Sequence, residues 1–360
     1  MVVNTWDGAA NSNWDDAGNW NSTGTTDRIP TSSDDVIIPD TSSINNPTLR
    51  QDQPVQSLVM QANATVVGAG FEITIHGESS NVAIDNDAII SGVLDLEILT
   101  AGVTTLDLAG TSGNFRNIII NHADCEATLL SATTIDGNLT ITAGQLNTDA
   151  SSNYALTVTG ATSLAAGSGE DVATLTCNAS TVSLGSGYSA DYGLYVREGG
   201  TFVGGTGAHT MGSISMQDEA NAKLTLTTHA SGTTIDAGDY GSDYPFTCGA
   251  DSAVTSTNSL IVFATSKSEA TYNINTPDTT LNDVTINSSG KTFTATDALT
   301  LTGDLTITAG TLDTGSDRAL TVTGDVSVTG TLTGNASAIS LGSLTIASGG
   351  TYSATSGTTT

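Results

Sequence analysis

Positive charge is nearly missing from this sequence: eight Lys and Arg stand against 37 Asp and Glu, a formal charge of −29. Arg28, Arg50, Arg116, Arg197, Lys223, Lys267, Lys291 and Arg318 are scattered along the chain. No basic stripe exists to neutralise phosphates, and a field this negative repels nucleic acid and anionic lipid, so both are excluded as direct ligands. Aromatic residues are also scarce, at 5%. A wide globular core filled with large rings is therefore not expected, whereas the abundant Val, Ile, Ala and Thr suit a narrow interior between short strands.

The three cysteines, Cys125, Cys177 and Cys248, lie far apart and lack the close pairing of a zinc or redox motif, so they read as buried thiols. No apolar run approaches the roughly 18 residues of a membrane span. The opening Met1-Val-Val-Asn-Thr-Trp6 lacks the basic and apolar regions of a secretory signal. Release by lysis, as for a virion protein, needs no such signal. A surface this acidic is best kept folded where salt screens its self-repulsion, which points to an extracellular setting.

What the sequence does contain is repetition at two scales. Leu299-Thr-Leu-Thr-Gly303-Asp304 returns as Leu320-Thr-Val-Thr-Gly324-Asp325, followed by a degenerate copy, Ile339-Ser-Leu-Gly342. Thr134-Ile-Asp-Gly137 returns as Thr157-Val-Thr-Gly160, and again as Val182-Ser-Leu-Gly185. On the longer scale, Gly137-Asn-Leu-Thr-Ile-Thr-Ala-Gly144 matches Gly303-Asp-Leu-Thr-Ile-Thr-Ala-Gly310, and Phe115–Asn121 stands at the same displacement from Leu281–Asn287.

Within a repeat, aliphatic residues alternate with threonine, as in Leu305-Thr-Ile-Thr, which places apolar groups on one face of a strand. Gly-Asp and Gly-Asn steps supply the corners, where glycine tolerates positive φ. Glycines and β-branched residues interrupt every window long enough for a stable helix. The expected fold is all-β, a parallel β-helix (β-solenoid) with coils of about 18–25 residues and an N-terminal cap. Its expected divisions are a Trp-rich cap with the first strands over residues 1–54, a solenoid block with loop insertions over 55–254, and a second block over 255–360 duplicating about 90–200. Trp6, Trp14 and Trp20 are all of the tryptophans and form the expected cap, because the open end of a solenoid is an unpaired sheet edge.

The pattern Trp6-Asp-Gly, Asn13-Trp14, Gly18-Asn-Trp20 and Pro30-Thr-Ser-Ser-Asp34-Asp35-Val-Ile-Ile-Pro39, followed by Thr/Gly-rich coils, resembles the β-solenoid surface and fibre proteins of tailed phages and bacterial adhesins. The resemblance implies a non-enzymatic structural or display protein, a phage virion fibre or surface protein mediating attachment or assembly, located on the virion or an extracellular surface. Its implied partners are copies of itself, other virion or surface proteins, and a cell-surface glycan or receptor. The alternatives are a bacterial cell-surface adhesin or filament subunit, and a polysaccharide-cleaving tailspike.

A tailspike needs paired carboxylates. The acidic candidates are Asp34-Asp35, Asp85 with Asp87, and Glu170-Asp171, and solvated loop acids are the commoner reading of each. Asp236, Asp239 and Asp243 form a candidate calcium loop that matches neither the EF-hand nor the Gly-Gly-x-Gly-x-Asp spacing, so an acidic turn is favoured and no cofactor is expected. His76, His122, His209 and His229 are isolated, and Gly204-Gly-Thr-Gly207 has no following lysine to make a phosphate cradle. The aromatic loops, Tyr188, Tyr192 and Tyr195 with Tyr240, Tyr244 and Phe246, are the candidate binding residues, since exposed rings stack on sugars or anchor a protein; the equal alternative is that they fold back over a coil and shield its edge.

Overall fold

A computed structural model describes residues 2–77, 81–84, 88–108, 113–166, 172–185, 193–216, 221–226, 232–236, 244–265, 267–354 and 356–360. Among the described residues regular structure is strand throughout, apart from a 3₁₀ turn at Ala17–Asn19. The strands are short and stack in parallel from coil to coil, so the fold is a β-solenoid. The chain divides into two compact units, Met1–Thr159 with Ala165–Thr176, and Gly160–Leu164 with Cys177–Thr360.

In the N-terminal unit, one stack runs through Gln53–Val55, Phe71–Ile75, Leu94–Ile98 and the starts of Ile118–Leu129 and Leu139–Asn147. Ile73, Leu96, Ile118 and Leu139 fall in register there, each at most 2% exposed. A second stack carries Val36, Leu58, Val82 and Leu106 in the same way. Strands Thr65–Val67 and Ile89–Ser91 form one pair on the remaining side, Thr133–Ile135 and Leu156–Val158 another. Each buried aliphatic contributes roughly 1.5–3 kcal/mol. One pairing is antiparallel: Trp20–Ser22 lies along Val2–Trp6, on the edge opposite Asp34–Ile38.

In the C-terminal unit the strands also form three stacks among the described residues. Leu299, Leu320 and Ile339 make one column, each lying one coil beyond the last. The nine-residue strand Leu320–Val328 turns a corner: Leu320 lies on Leu299, whereas Val326 lies on Leu305 in the next stack. Where loops leave the coil the step lengthens beyond the expected coil size, as from Thr162 to Leu194 and from Ile214 to Phe246. An insertion at a corner adds length without moving the stacked strands.

The Gly-Asx corners depend on room rather than on positive φ. Gly137, Gly303 and Gly324 are not in the left-handed region, but a Cβ on Gly303 would collide with Asp283 Oδ1, one on Gly324 with Asp304 Oδ1, and one on Gly137 with the Arg116 carbonyl oxygen. The following Asx builds a ladder. Asp283 Oδ1 accepts the Asp304 amide hydrogen at 2.7 Å, and Asp304 Oδ1 accepts that of Asp325 at 2.8 Å. In the N-terminal unit Asn117 Oδ1 accepts that of Asn138 at 2.9 Å. Positive φ is needed instead at Gly144 and Gly310, both at 85°, where the strand passes beneath a bulged loop.

Candidate functional site

Of the aromatic candidates, Tyr188, Tyr192 and Tyr240 lie outside the described residues. Tyr195 sits in the strand Leu194–Val196, its ring 5.5 Å from the Arg197 guanidinium carbon. Phe246, expected on a binding loop, is fully buried instead, in register between Ile214 and Ile274. Pro245 ends the loop and the strand begins at Phe246, so that side chain takes an inward position. Tyr244 is left 41% exposed.

Tyr244 lines a shallow cleft of about 380 Å³ with Thr247, Asn275 and Thr296. These three occupy one outward column, because Ser215, Thr247 and Asn275 are in register and Thr296 follows Ala295, the partner of Ile274. They are tied coil to coil. Asn275 Nδ2 donates to Thr247 Oγ1 at 3.2 Å, and Thr296 Oγ1 lies 3.2 Å from both Asn275 Oδ1 and the Ile274 carbonyl oxygen, to which it donates. The result is a rigid row of hydroxyl and amide groups beside an exposed ring, uncharged among the described residues. Sequence reasoning found Tyr244 and missed the other three. Their signal, recurrence at the coil period, is blurred because the step from Thr247 to Asn275 is longer than the step from Asn275 to Thr296.

A second cleft, of about 340 Å³, lies by the bulged loop of the N-terminal unit and is lined by Asp124, Cys125, Glu126, Gln145 and Thr174 among others. Burial, with a smaller push from the Glu126 charge, raises the Cys125 thiol to about 11 against the backbone bond from Ala127. A thiol held protonated is a poor nucleophile. Cys177 and Cys248 are buried too, and burial is the leading cause that raises both.

Of the candidate carboxylate pairs, Asp34 and Asp35 have structural partners, whereas the other two pairs lie outside the described residues. Asp34 is buried and pairs with Arg28, while Oδ2 accepts from the Thr31 amide at 2.9 Å and the Thr31 hydroxyl at 2.7 Å. Asp35, on the other face of the strand, accepts from Ser57 at 2.6 Å. Asp85, Asp87, Glu170 and Asp171 lie outside the described residues, as do Asp239, Asp243 and His229. Asp236 is described, and its Oδ1 is buried without a hydrogen-bond partner. Among the described residues no group of three His, Cys, Asp or Glu is placed to hold a metal ion. His209 is buried edge-on to Phe202, whereas His76 is exposed and His122 half-buried. At Gly205 and Gly207 the backbone packs so closely on Asn178 and Ser180 that a Cβ would overlap their carbonyl oxygens, which accounts for the glycines.

Trp6, Trp14 and Trp20 are fully buried together, Trp20 meeting Trp6 and Trp14 edge-on with centroids at 5.0 and 4.8 Å. Trp6 Nε1 donates to the Asn45 carbonyl at 2.6 Å and Trp20 Nε1 to that of Trp14 at 2.7 Å. No helix among the described residues is long and apolar enough to cross a membrane.

No protein-family model, curated protein or solved structure matches this chain.

Proposed function

We propose that this chain is a non-enzymatic display protein, a phage virion fibre or surface protein that mediates attachment or assembly. The observation that carries this reading is the construction of both units from stacked parallel coils, whose recurring element is a hydrogen-bonded backbone with an aliphatic lining. Such a scaffold holds its flanks rigid and lets them vary, which suits presentation of a surface. Asp34 and Asp35, the described members of the candidate carboxylate pairs, have structural partners in Arg28, Thr31 and Ser57. The sequence resemblance to phage fibres and adhesins adds the setting: an outer surface, with copies of the chain, other virion or surface proteins, and a glycan or receptor as partners.

Immunogold labelling with an antibody against the chain tests this. The expected result is label on the exterior of virions. Label confined to the interior of cells overturns the reading, and release of new reducing ends from capsular polysaccharide by the purified chain replaces it with a cleaving tailspike.

A further inference from the structure

We infer that the cleft beside Tyr244 binds an uncharged oligosaccharide. The inference deepens the attachment reading, on which it rests for its biological role, and names the site and the ligand class.

The argument starts with the ring. Among the described residues Tyr244 is one of few large apolar side chains left exposed, in a chain that is 5% aromatic. A sugar presents C–H groups on one face, which pack on an aromatic ring, and hydroxyls around its edge, which need donors and acceptors close by. Thr247, Asn275 and Thr296 supply both beside the ring. Stacked coils are about 4.8 Å apart, so the three side chains span about 10 Å, the length of a short oligosaccharide. The bonds within the row fix each rotamer before a ligand arrives, and leave the Thr247 hydroxyl hydrogen and the second Asn275 amide hydrogen without an acceptor among the described residues. Preorganised polar groups lower the ordering cost of binding.

Charge decides among glycans. None of the lining residues among those described is charged, and the chain carries −29 overall. Sulfated and uronic-acid polymers would meet repulsion without a cation among the described lining residues to offset it, so the ligand class is neutral.

The test uses the full chain and defined probes: hexasaccharides of β-glucan, α-mannan and galactan, with an alginate hexamer as the anionic counterpart. Binding is followed by calorimetry and by saturation transfer to ligand protons. One or more neutral hexamers should bind in about the millimolar range or tighter, and alginate should not. Tyr244→Ala should weaken binding about tenfold or more, Asn275→Ala about threefold or more, and Tyr244→Phe should stay within about twofold, since the ring rather than its hydroxyl makes the contact. An unchanged melting temperature in Tyr244→Ala separates loss of the site from loss of the fold. The inference is overturned if no neutral hexamer binds, if alginate binds as well, or if Tyr244→Ala binds like the parent. Should the chain coat virions while the neutral hexamers fail to bind, the display reading stands and the glycan site falls. If the hexamers bind but the chain has no surface location, the glycan site stands and the display reading falls.

Discussion

Two segments related by the internal duplication, around Phe115–Thr148 and Leu281–Thr314, have the same backbone with different side chains. In both, the register shifts at the same places, after Ile120 and Asn121 in one and after Ile286 and Asn287 in the other. In both, a glycine at φ 85° passes beneath the bulge, Gly144 or Gly310. The loops above differ in every residue, His122-Ala-Asp-Cys125 against Ser288-Ser-Gly-Lys291. The corner ladder is Asn117 and Asn138 in one copy, Asp283 and Asp304 in the other. The core differs at several large positions: Phe115, Ala127 and Leu129 in the first copy are matched by Leu281, Phe293 and Ala295 in the second, where Phe293 stacks on Tyr272 with centroids 5.4 Å apart. The pair teaches which features hold the coil: glycine at the close approaches, an Asx acceptor at the corner, and an apolar residue of any size that its neighbours can fill.

The comparison can be broken most sharply at its core difference. Phe293→Ala installs the residue found in the first copy, yet it should cost about 3–5 kcal/mol in urea unfolding, because Tyr272 and Phe263 remain and a cavity opens beside them. A loss below about 1 kcal/mol would show that the second core collapses into the space left by the ring, although Ala295 stands there where the first copy has Leu129. Next come the corner glycines. Gly137→Ala should cost about 2 kcal/mol and Gly303→Ala about 1 kcal/mol, since the first obstacle is a backbone carbonyl and the second a carboxylate that can rotate away. Equal losses would mean that the Asx rung is as rigid as the backbone.

The ladder itself gives a smaller effect. Asp304→Ala removes an acceptor for the Asp325 amide and should cost about 1 kcal/mol, whereas Asp304→Asn, the residue at the matching corner, should stay within about 0.5 kcal/mol. The smallest effect concerns the outer face of the N-terminal unit, where Glu72 lies against Asp95 in register. Partial burial, then the charges of Glu97, Asp52 and Asp95, raise the Glu72 carboxyl above the usual glutamate range, against the hydrogen bond from Thr74. A raised carboxyl binds its proton more tightly in the folded state, so its relative stabilisation is complete below the ordinary glutamate range and is lost as pH rises through the raised one. Glu72→Gln should therefore gain stability at neutral pH, by about 0.3 kcal/mol after screening, and the gain should vanish on acidification. In the C-terminal coils Asp313 sits between Thr294 and Thr333 in register and lacks such a like-charged partner.

Much of this architecture is legible in the chain. The step from Leu299 to Leu320 and that from Thr134 to Thr157 are observed registers, because strict alternation of aliphatic residue and threonine leaves only one pairing that keeps the apolar groups inside. The corner motif is equally visible, but its cause is not: a sequence reports that glycine precedes Asx, whereas the obstacle belongs to the previous coil. Alternation also fails across a strand start. Tyr244 and Phe246 have the same parity, yet Pro245 separates loop from strand and sends one ring outward and the other inward. The column Thr247, Asn275 and Thr296 is hidden for a related reason, since insertions make its steps unequal and only the stacked coils bring the three together.

Parallel stacking from coil to coil is tested most directly by amide-proton contacts in a deuterated sample of the full chain. Thr300 should show inter-strand contacts to Thr321, and Thr321 to Ser340, at each step along one column. Contacts instead between Leu299–Leu301 and the immediately following strand Leu305–Asp313 would reveal antiparallel hairpins and contradict the solenoid.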